Sequence, residues 1–84
     1  MEEELVGKVV KFFAKPCVAA VEITSKGLMV GDTIRIKGHT TDFQDTIQSM
    51  QIEKDPVEKA NRGDTIGIQV KERVREGDLV YKTV

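Results

Sequence analysis

Residues that hold small proteins together by covalent or metal cross-links are scarce in this chain. Its 84 residues include one cysteine, one histidine and no tryptophan. Cys17 has no partner for an intramolecular disulfide. One cysteine and one histidine are also too few for a structural zinc site, which takes about four such ligands. We therefore expect a fold held by packing and hydrogen bonds, without a metal or another cofactor.

Long apolar runs and an excess of one charge are also missing. No run approaches the ~20 apolar residues that a helix needs to span a bilayer. The acidic start at residues 1–4 lacks the basic and apolar regions of a signal peptide. With 13 basic and 14 acidic residues the formal net charge is −1, so no overall positive field attracts nucleic acid. These features predict a cytoplasmic protein without a membrane partner.

What the chain has in quantity is short β-forming runs, separated by glycine and proline breaks. The runs alternate apolar and polar side chains or are rich in β-branched residues, which is typical of strands. Within one run the apolar phase slips by one residue, which predicts a β-bulge near Gln48 and Ser49. One all-β domain spanning residues 1–84, a barrel or a sandwich, is expected. The six predicted strands are residues 5–13, 17–24, 33–37, 43–52, 65–70 and 79–83.

A Gly-Asp pair precedes three of these strands, at Gly31-Asp32, Gly63-Asp64 and Gly77-Asp78. Glycine and aspartate are typical turn residues, so each pair predicts a tight turn that begins a strand. Gly67 differs because it lies inside a run. Glycine weakens a strand there and usually marks a bend or a close backbone approach.

Three segments around these turns resemble the second domain of the translation GTPases, such as elongation factor Tu and initiation factor two. Residues 47–67 contain a strand, an acidic-to-proline turn, an irregular stretch that ends in alanine, and Gly-Asp-x-Ile-Gly. Residues 26–36 and 74–80 are similar to the family's upstream and downstream Gly-Asp elements, in the same order. The resemblance covers the chain from Leu5 onward, and it implies a closed, six-stranded, Greek-key-like barrel.

The GTPase part of that family has no counterpart in this chain. No Gly-x-x-x-x-Gly-Lys-Ser/Thr phosphate loop is present, so we expect neither binding nor hydrolysis of GTP. In elongation factor Tu the second domain helps to hold the aminoacyl end of tRNA through an acidic side chain, and the matching position here is Gln51. The resemblance thus implies a non-catalytic module that binds tRNA, rRNA or a translation protein.

Ten residues are candidates for contacting a nucleic acid or a protein partner. Basic side chains bind phosphates, and aromatic side chains stack on bases. Outward strand positions are nevertheless often charged in any protein, and aromatic residues usually fill the interior of a small barrel. Phe12 and Phe13 are adjacent, so a regular strand directs one inward and exposes the other. The candidates are Lys11, Phe12, Phe13, Lys15, Arg35, Lys37, Gln51, Lys71, Arg73 and Arg75.

Catalytic chemistry has little support in the sequence. His39 lies in a polar loop, and neither Ser25 nor Ser49 has the surroundings of an activated nucleophile. Cys17 falls on the inward phase of its run, so we expect a small core residue rather than a reactive thiol. The chain is therefore predicted not to be an enzyme.

Two functions from different classes remain open. The first is an RNA- or tRNA-binding module of the translation type, whose affinity falls steeply with salt. The second is a protein-interaction barrel that acts as an accessory to an enzyme such as a U32-type peptidase, because the collagenase-like U32 peptidases have C-terminal domains of similar appearance. An apolar surface patch near Phe12, Phe13 or Met29 and binding that is insensitive to salt favour the second.

Overall fold

A computed structural model describes residues 3–83, which form ten β-strands. Of the acidic start, Met1 and Glu2 lie outside the described residues. No helix long and apolar enough to cross a membrane occurs between residues 3 and 83. In chain order the strands are β1 (Glu3–Phe13), β2 (Val18–Ile23), β3 (Leu28–Met29), β4 (Thr33–Lys37), β5 (Asp42–Thr46), β6 (Met50–Ile52), β7 (Asp55–Val57), β8 (Lys59–Ala60), β9 (Thr65–Gln69) and β10 (Leu79–Thr83).

Eight of these strands share one sheet, and every strand pair is antiparallel. The sheet order is β5-β4-β10-β1-β2-β9-β6-β7, and β3 and β8 pair separately. The all-β prediction is confirmed. The edge strands β5 and β7 do not pair with each other in the described part of the chain, so closure into a six-stranded barrel is not confirmed.

The single strand predicted over residues 43–52 is instead two strands with different partners. β5 ends at Thr46 and pairs with β4, whereas β6 begins at Met50 and pairs with β7 and β9. Gln48 and Ser49 form an exposed link between them. The slip in apolar phase therefore reflects a change of partner, and the predicted bulge near Gln48 and Ser49 is wrong.

The core lies on one face of the large sheet because apolar side chains alternate along its strands. In β2, Ala19, Val21 and Ile23 are buried, and the residues between them are only half-buried. Full burial of one large aliphatic side chain contributes roughly 1.5–3 kcal/mol, so this cluster is the main source of stability. Its other members are Val6, Val9, Leu28, Ile34, Ile36, Phe43, Ile47, Met50, Ala60, Ile66, Ile68, Val70, Val74 and Val80.

Two irregularities in β1 change which of its side chains face the core. The register with β10 shifts between Leu5 and Gly7, and the register with β2 shifts between Val9 and Lys11. A bulge of this kind bends a strand and increases its twist. The second shift leaves Val10 exposed and resets the alternation just before the two phenylalanines.

The three Gly-Asp pairs form one repeated turn, as the sequence predicts. In each turn the Asp N–H donates to the carbonyl three residues earlier, and the Asp carboxylate accepts from the N–H of that same earlier residue. The glycines have φ angles of 98°, 94° and 92°, as the third residue of a type II turn requires. The turns occupy residues 29–32, 61–64 and 75–78, and each leads directly into the next strand of the large sheet.

Candidate functional site

A shallow groove, which we call the outer groove, lies on the solvent-facing side of β1, β2, β9 and β6. Its volume is about 270 Å³. Ala20 and Gly67 form its floor, and Phe13 and Gln51 stand on opposite sides. Thr65 and the two-residue turn 53–54 complete the rim.

Strand register explains why this surface is low in the middle. Ala20 pairs with Lys11 on one side and with Gly67 on the other, and Gly67 in turn pairs with Gln51. The row of outward-facing residues that crosses these four strands therefore has long side chains, Lys11 and Gln51, only at its two ends. The two central strands contribute only Ala20 and Gly67. The buried residues on either side of Gly67 along β9, Ile66 and Ile68, anchor the floor to the core.

The two adjacent phenylalanines point in opposite directions, which confirms the prediction that only one faces inward. Phe12 packs against the core cluster, whereas Phe13 is 43% exposed and lines the outer groove. The Lys11 Nζ lies 5.2 Å from the centre of the Phe13 ring. A cation–π contact at an exposed site contributes roughly 0.5–1 kcal/mol, so Lys11 helps to hold the Phe13 ring in place.

The turn at one end of the groove has an unusual backbone. Glu53 and Lys54 connect β6 to β7, and their φ angles are 50° and 71°. Two positive φ angles in a two-residue hairpin define a type I′ turn, for which Asn-Gly is the preferred sequence. A residue with a Cβ in this conformation is disfavoured by roughly 1–2 kcal/mol. The turn is therefore strained, and both of its residues, one acidic and one basic, line the groove.

Arg35 and Lys37, two of the predicted contact residues, belong to what we call the ion-pair cluster. The Arg35 Nε donates to the Asp42 carboxylate at 2.9 Å, and its Nη1 lies 3.5 Å from a Glu3 oxygen. The Lys37 Nζ lies 3.4 Å from the other Glu3 oxygen and 5.5 Å from the centre of the Tyr81 ring. The hydrogen bond from Arg35 to Asp42 is the main reason that the pKa of Arg35 is raised above its ordinary value. Arg35 and Lys37 are thus both paired with acidic side chains of the protein itself.

The ion-pair cluster and the outer groove lie at opposite ends of β1. Arg35 pairs with Tyr81, which pairs with Leu5 near the start of β1, while Lys11 and Phe13 are at its end. At about 3.3 Å per residue these positions are on the order of 20 Å apart. The predicted contact residues of β1 and β4 therefore do not meet.

The remaining basic candidates lie in two connections. Lys15 is exposed in the turn between β1 and β2, where the Cys17 N–H donates to the Ala14 carbonyl at 3.2 Å. Lys71 is exposed after β9 and lines a second cleft, of about 240 Å³, together with Asp45. The same connection between β9 and β10 carries Arg73 and Arg75, both exposed. The ten candidates thus divide among separate surfaces, and RNA as a partner of these residues stays a prediction.

The residues considered for catalysis lie in connections between strands. His39 is exposed in the link between β4 and β5. Cys17 is half-buried and packs against the core cluster as expected. The strand position predicted for it is wrong, because Cys17 lies in the turn before β2 with a φ of 55°. Between residues 3 and 83 no cluster of three or more histidine, cysteine, aspartate or glutamate side chains is suited to hold a metal ion.

Several groove residues were not recognised from the sequence. Gly67 gave a signal, since it stood out as a glycine inside a strand, and Gln51 and Phe13 were named as candidates. Ala20 and Thr65 gave none, because small or polar residues at outward strand positions are common. The turn formed by Glu53 and Lys54 carries no glycine or asparagine to indicate its conformation.

Comparisons with known proteins place the chain beside peptidases. It is 43% identical over 77 residues to an uncharacterized protease of Methanocaldococcus jannaschii, covering 90% of this chain and 19% of that protein. It is 40% identical over 82 residues to a collagenase of Porphyromonas gingivalis, covering 96% of this chain and 23% of the collagenase. The chain thus spans about a fifth of the length of these relatives. No protein-family model matches it.

Solved structures match the fold closely. Two crystal structures of the C-terminal domain of a Geobacillus thermoleovorans protein assigned to the U32 peptidases superpose on the chain with TM-scores of 0.86 and 0.89. They cover 92% and 96% of the chain, which spans 96% and 93% of those domains, and their sequence identities are 16% and 18%. At this low sequence identity, the superposition shows a shared fold and no more.

These findings correct the resemblance to the second domain of the translation GTPases. The relatives by sequence and the neighbours by structure are peptidases or a peptidase domain. The resemblance rested on residues 47–60 and on the three Gly-Asp turns, and glycine and aspartate are common turn residues in proteins of many families. The assignment to a translation or elongation factor is wrong, and the chain has the fold of the C-terminal domain of a U32 peptidase.

Proposed function

We propose that this chain is a non-catalytic accessory domain that acts with a U32-type peptidase and holds a polypeptide for it. The proposal takes up the protein-interaction function inferred from the sequence. In it the chain has no peptidase activity of its own, and its partners are proteins.

The observation that carries the proposal is the distribution of the similarity. Sequence matches cover nearly all of this chain but only about a fifth of two proteins named as a protease and a collagenase. A unit that makes up a small part of larger enzymes is typical of a binding domain joined to a separate catalytic part. That a domain with this fold has been crystallised apart from the rest of its protein supports an independently folded unit.

A domain exchange in the Porphyromonas gingivalis collagenase tests the proposal. Three proteins are compared for hydrolysis of fluorescent gelatin: the collagenase, a version without the segment of 82 matched residues, and a version in which this chain replaces that segment. We expect the deletion to reduce hydrolysis and the replacement to restore it, because the exchanged units supply the same binding function.

The chain alone is assayed in parallel with the same gelatin. We expect no hydrolysis above buffer. Hydrolysis by the chain alone contradicts the non-catalytic part of the proposal. A folded chimera that stays as inactive as the deletion contradicts the accessory function.

A further inference from the structure

We propose that the outer groove binds an uncharged polypeptide segment by receiving one apolar side chain on the floor formed by Ala20 and Gly67. The inference rests on the proposed function, since it names the site and the partner class for an accessory domain that holds a polypeptide. It makes Gly67 and Phe13 the central contact residues.

The first argument is that the fold has no need of a glycine at position 67. A Cβ added at Gly67 would make only an ordinary contact, 3.4 Å from the Val18 Cγ1, and its φ is not in the left-handed region. A strand interior disfavours glycine by roughly 0.5–1 kcal/mol relative to alanine. The other six glycines have a structural reason: Gly27, Gly31, Gly63 and Gly77 have positive φ, and Gly7 and Gly38 have no room for a Cβ.

The second argument is the size of the space above Gly67. Pockets for small molecules usually measure about 300–1,000 Å³, and the outer groove, at about 270 Å³ and open to solvent, is smaller. One or two side chains of a larger partner fill such a space. The exposed ring of Phe13 on one side supplies apolar contact area, which suits an aliphatic or aromatic side chain.

The third argument is the charge of the rim. Glu53 contributes one negative charge, Lys54 and the Lys11 side chain beside Phe13 contribute two positive charges, and Thr65 and Gln51 are neutral. A site that follows the phosphates of a nucleic acid needs several unmatched cations, whereas this rim has an excess of one. An amide side chain such as that of Gln51 can both donate to and accept from a peptide backbone. The balance therefore favours an uncharged polypeptide over RNA.

The strained turn of Glu53 and Lys54 supports the same site. Positive φ angles at residues other than glycine persist where the surrounding structure enforces them, and they concentrate at functional sites. Here two of them occur together at the end of the groove that also contains the unexplained glycine. The two independent departures from ordinary β-structure thus coincide at one surface.

A chemical-shift titration of the ¹⁵N-labelled chain tests the inference. The probes are three capped, uncharged nonapeptides of glycine and serine with leucine, phenylalanine or proline at the centre, and a fourth with glycine there. We expect at least one of the first three to shift the amide signals of Phe13, Ala20, Gln51 and Gly67, and the all-glycine-serine peptide to shift none. Shifts confined to other surfaces, or none with any probe, overturn the inference.

Variants of the floor make the test specific. Gly67→Val fills the floor on a strand that accepts β-branched residues, so we expect the dissociation constant to rise about tenfold or more. Gly67→Ala should have a smaller effect in the same direction. Gln44→Val, which places the same side chain at an exposed position of β5, serves as the control and should leave the constant unchanged. Equal affinities of Gly67→Val and the wild-type chain overturn the inference.

The gelatin chimera separates this inference from the proposed function. If the chimera carrying this chain restores hydrolysis and its Gly67→Val version restores it equally, the groove is not the binding site, although the accessory function stands. If neither version restores hydrolysis, the accessory function itself fails. A uridine oligonucleotide that shifts the groove amides when the nonapeptides do not assigns the groove to RNA and overturns the inference.

Discussion

The two ends of β1 carry very different surfaces. At its start, the ion-pair cluster joins Glu3 of β1, Arg35 and Lys37 of β4, and Asp42 of β5 at 2.9–3.5 Å. At its end, the outer groove has a floor of almost bare backbone, an exposed phenylalanine and a strained turn. The first surface is rich in charge and the second is nearly neutral.

The difference shows that the basic residues of β4 are less available to a partner than their charge suggests. The basic residues of β4 were candidates for contacting phosphates, but their charges are matched by acidic residues of the same sheet. Exposed ion pairs contribute little each, roughly 0–1 kcal/mol, so the cluster adds modest stability and offers few free cations. The groove lacks such internal partners, which leaves its floor and its aromatic wall open to another molecule.

The largest expected effect is a difference in the free energy of unfolding between substitutions at Gly38 and Gly67. A Cβ at Gly38 would overlap the buried carboxylate of Asp78, which accepts the Arg75 N–H at 2.9 Å. Gly38→Ala should therefore lower the free energy of unfolding by about 1–3 kcal/mol. Gly67→Ala should instead raise it by up to about 1 kcal/mol. Urea unfolding of both variants measures the contrast, and a loss of stability in Gly67→Ala equal to that of Gly38→Ala contradicts it.

The second largest change in stability is expected from relieving the strained turn of Glu53 and Lys54. Replacing Glu53 by Asn and Lys54 by Gly gives the sequence that a type I′ turn prefers, so the free energy of unfolding should rise by about 1–2 kcal/mol. For a domain of this size that raises Tm by roughly 4–15 °C. Binding of the apolar nonapeptides should weaken at the same time, because one end of the groove loses both side chains.

A third residue with positive φ provides the control for that double variant. Lys26 has a φ of 52°, lies outside the groove and forms an exposed ion pair with Glu4 at 3.0 Å. Lys26→Gly relieves the same backbone conformation and should leave peptide affinity unchanged. If the turn variant gains no stability, the turn is not strained.

Phe13 should matter for binding and little for stability. Phe13→Ser removes the aromatic wall and its contact with Lys11, and since 43% of the residue is exposed, the free energy of unfolding should fall by only about 1 kcal/mol. Affinity for the apolar nonapeptides should fall severalfold. Leu5→Ser is the matched control, because Leu5 is 45% exposed and lies at the other end of β1. Equal losses of affinity in the two variants would remove Phe13 from the site.

The smallest effect concerns the ion-pair cluster. Arg35→Gln should lower Tm slightly at low salt, and the difference should shrink as salt screens exposed charges. The pKa of Arg35 is raised in the folded protein, so its stabilising contribution is complete at neutral pH. It is lost only as the pH rises through the raised pKa, in strongly alkaline solution. Arg35 should therefore add no pH dependence to Tm at neutral pH.

Arg73→Gln is the control for that measurement. Arg73 is an exposed residue of the connection between β9 and β10, and its replacement should leave Tm nearly unchanged at any salt concentration. A salt-dependent loss in Arg73→Gln as large as that in Arg35→Gln would show that the ion-pair cluster has no special part in stability.

Local sequence patterns predicted the longer strands and the Gly-Asp turns, but they missed β3, β7 and β8 and the arrangement of the strands. Alternation located β4, and the preceding Gly-Asp pair located β10, with their observed bounds; the Gly-Asp pairs also located all three type II turns. These features depend on neighbouring residues. The break between β5 and β6 arises because β5 pairs with β4 whereas β6 pairs with β9. In the sequence this change of partner is visible only as a one-residue slip in the alternation of apolar residues.

The candidate site was predicted in part, for a related reason. Gly67, Gln51 and Phe13 were identified separately, but only strand register brings them to one surface. The sequence also could not separate free cations from paired ones, because the partners of Arg35 are 7 and 32 residues away along the chain. Charge read from the sequence therefore overstated the binding capacity of β4.

The salt dependence of peptide binding, with and without a filled floor, tests the central claim most directly. The dissociation constant of the tightest apolar nonapeptide is measured for the wild-type chain and Gly67→Val at about 50 and 500 mM NaCl, a range over which exposed charges are strongly screened. We predict a wild-type constant that changes less than about twofold with salt, and a rise of about tenfold in Gly67→Val. Binding that weakens steeply with salt and is unaffected by Gly67→Val would contradict the account and assign recognition to the basic residues.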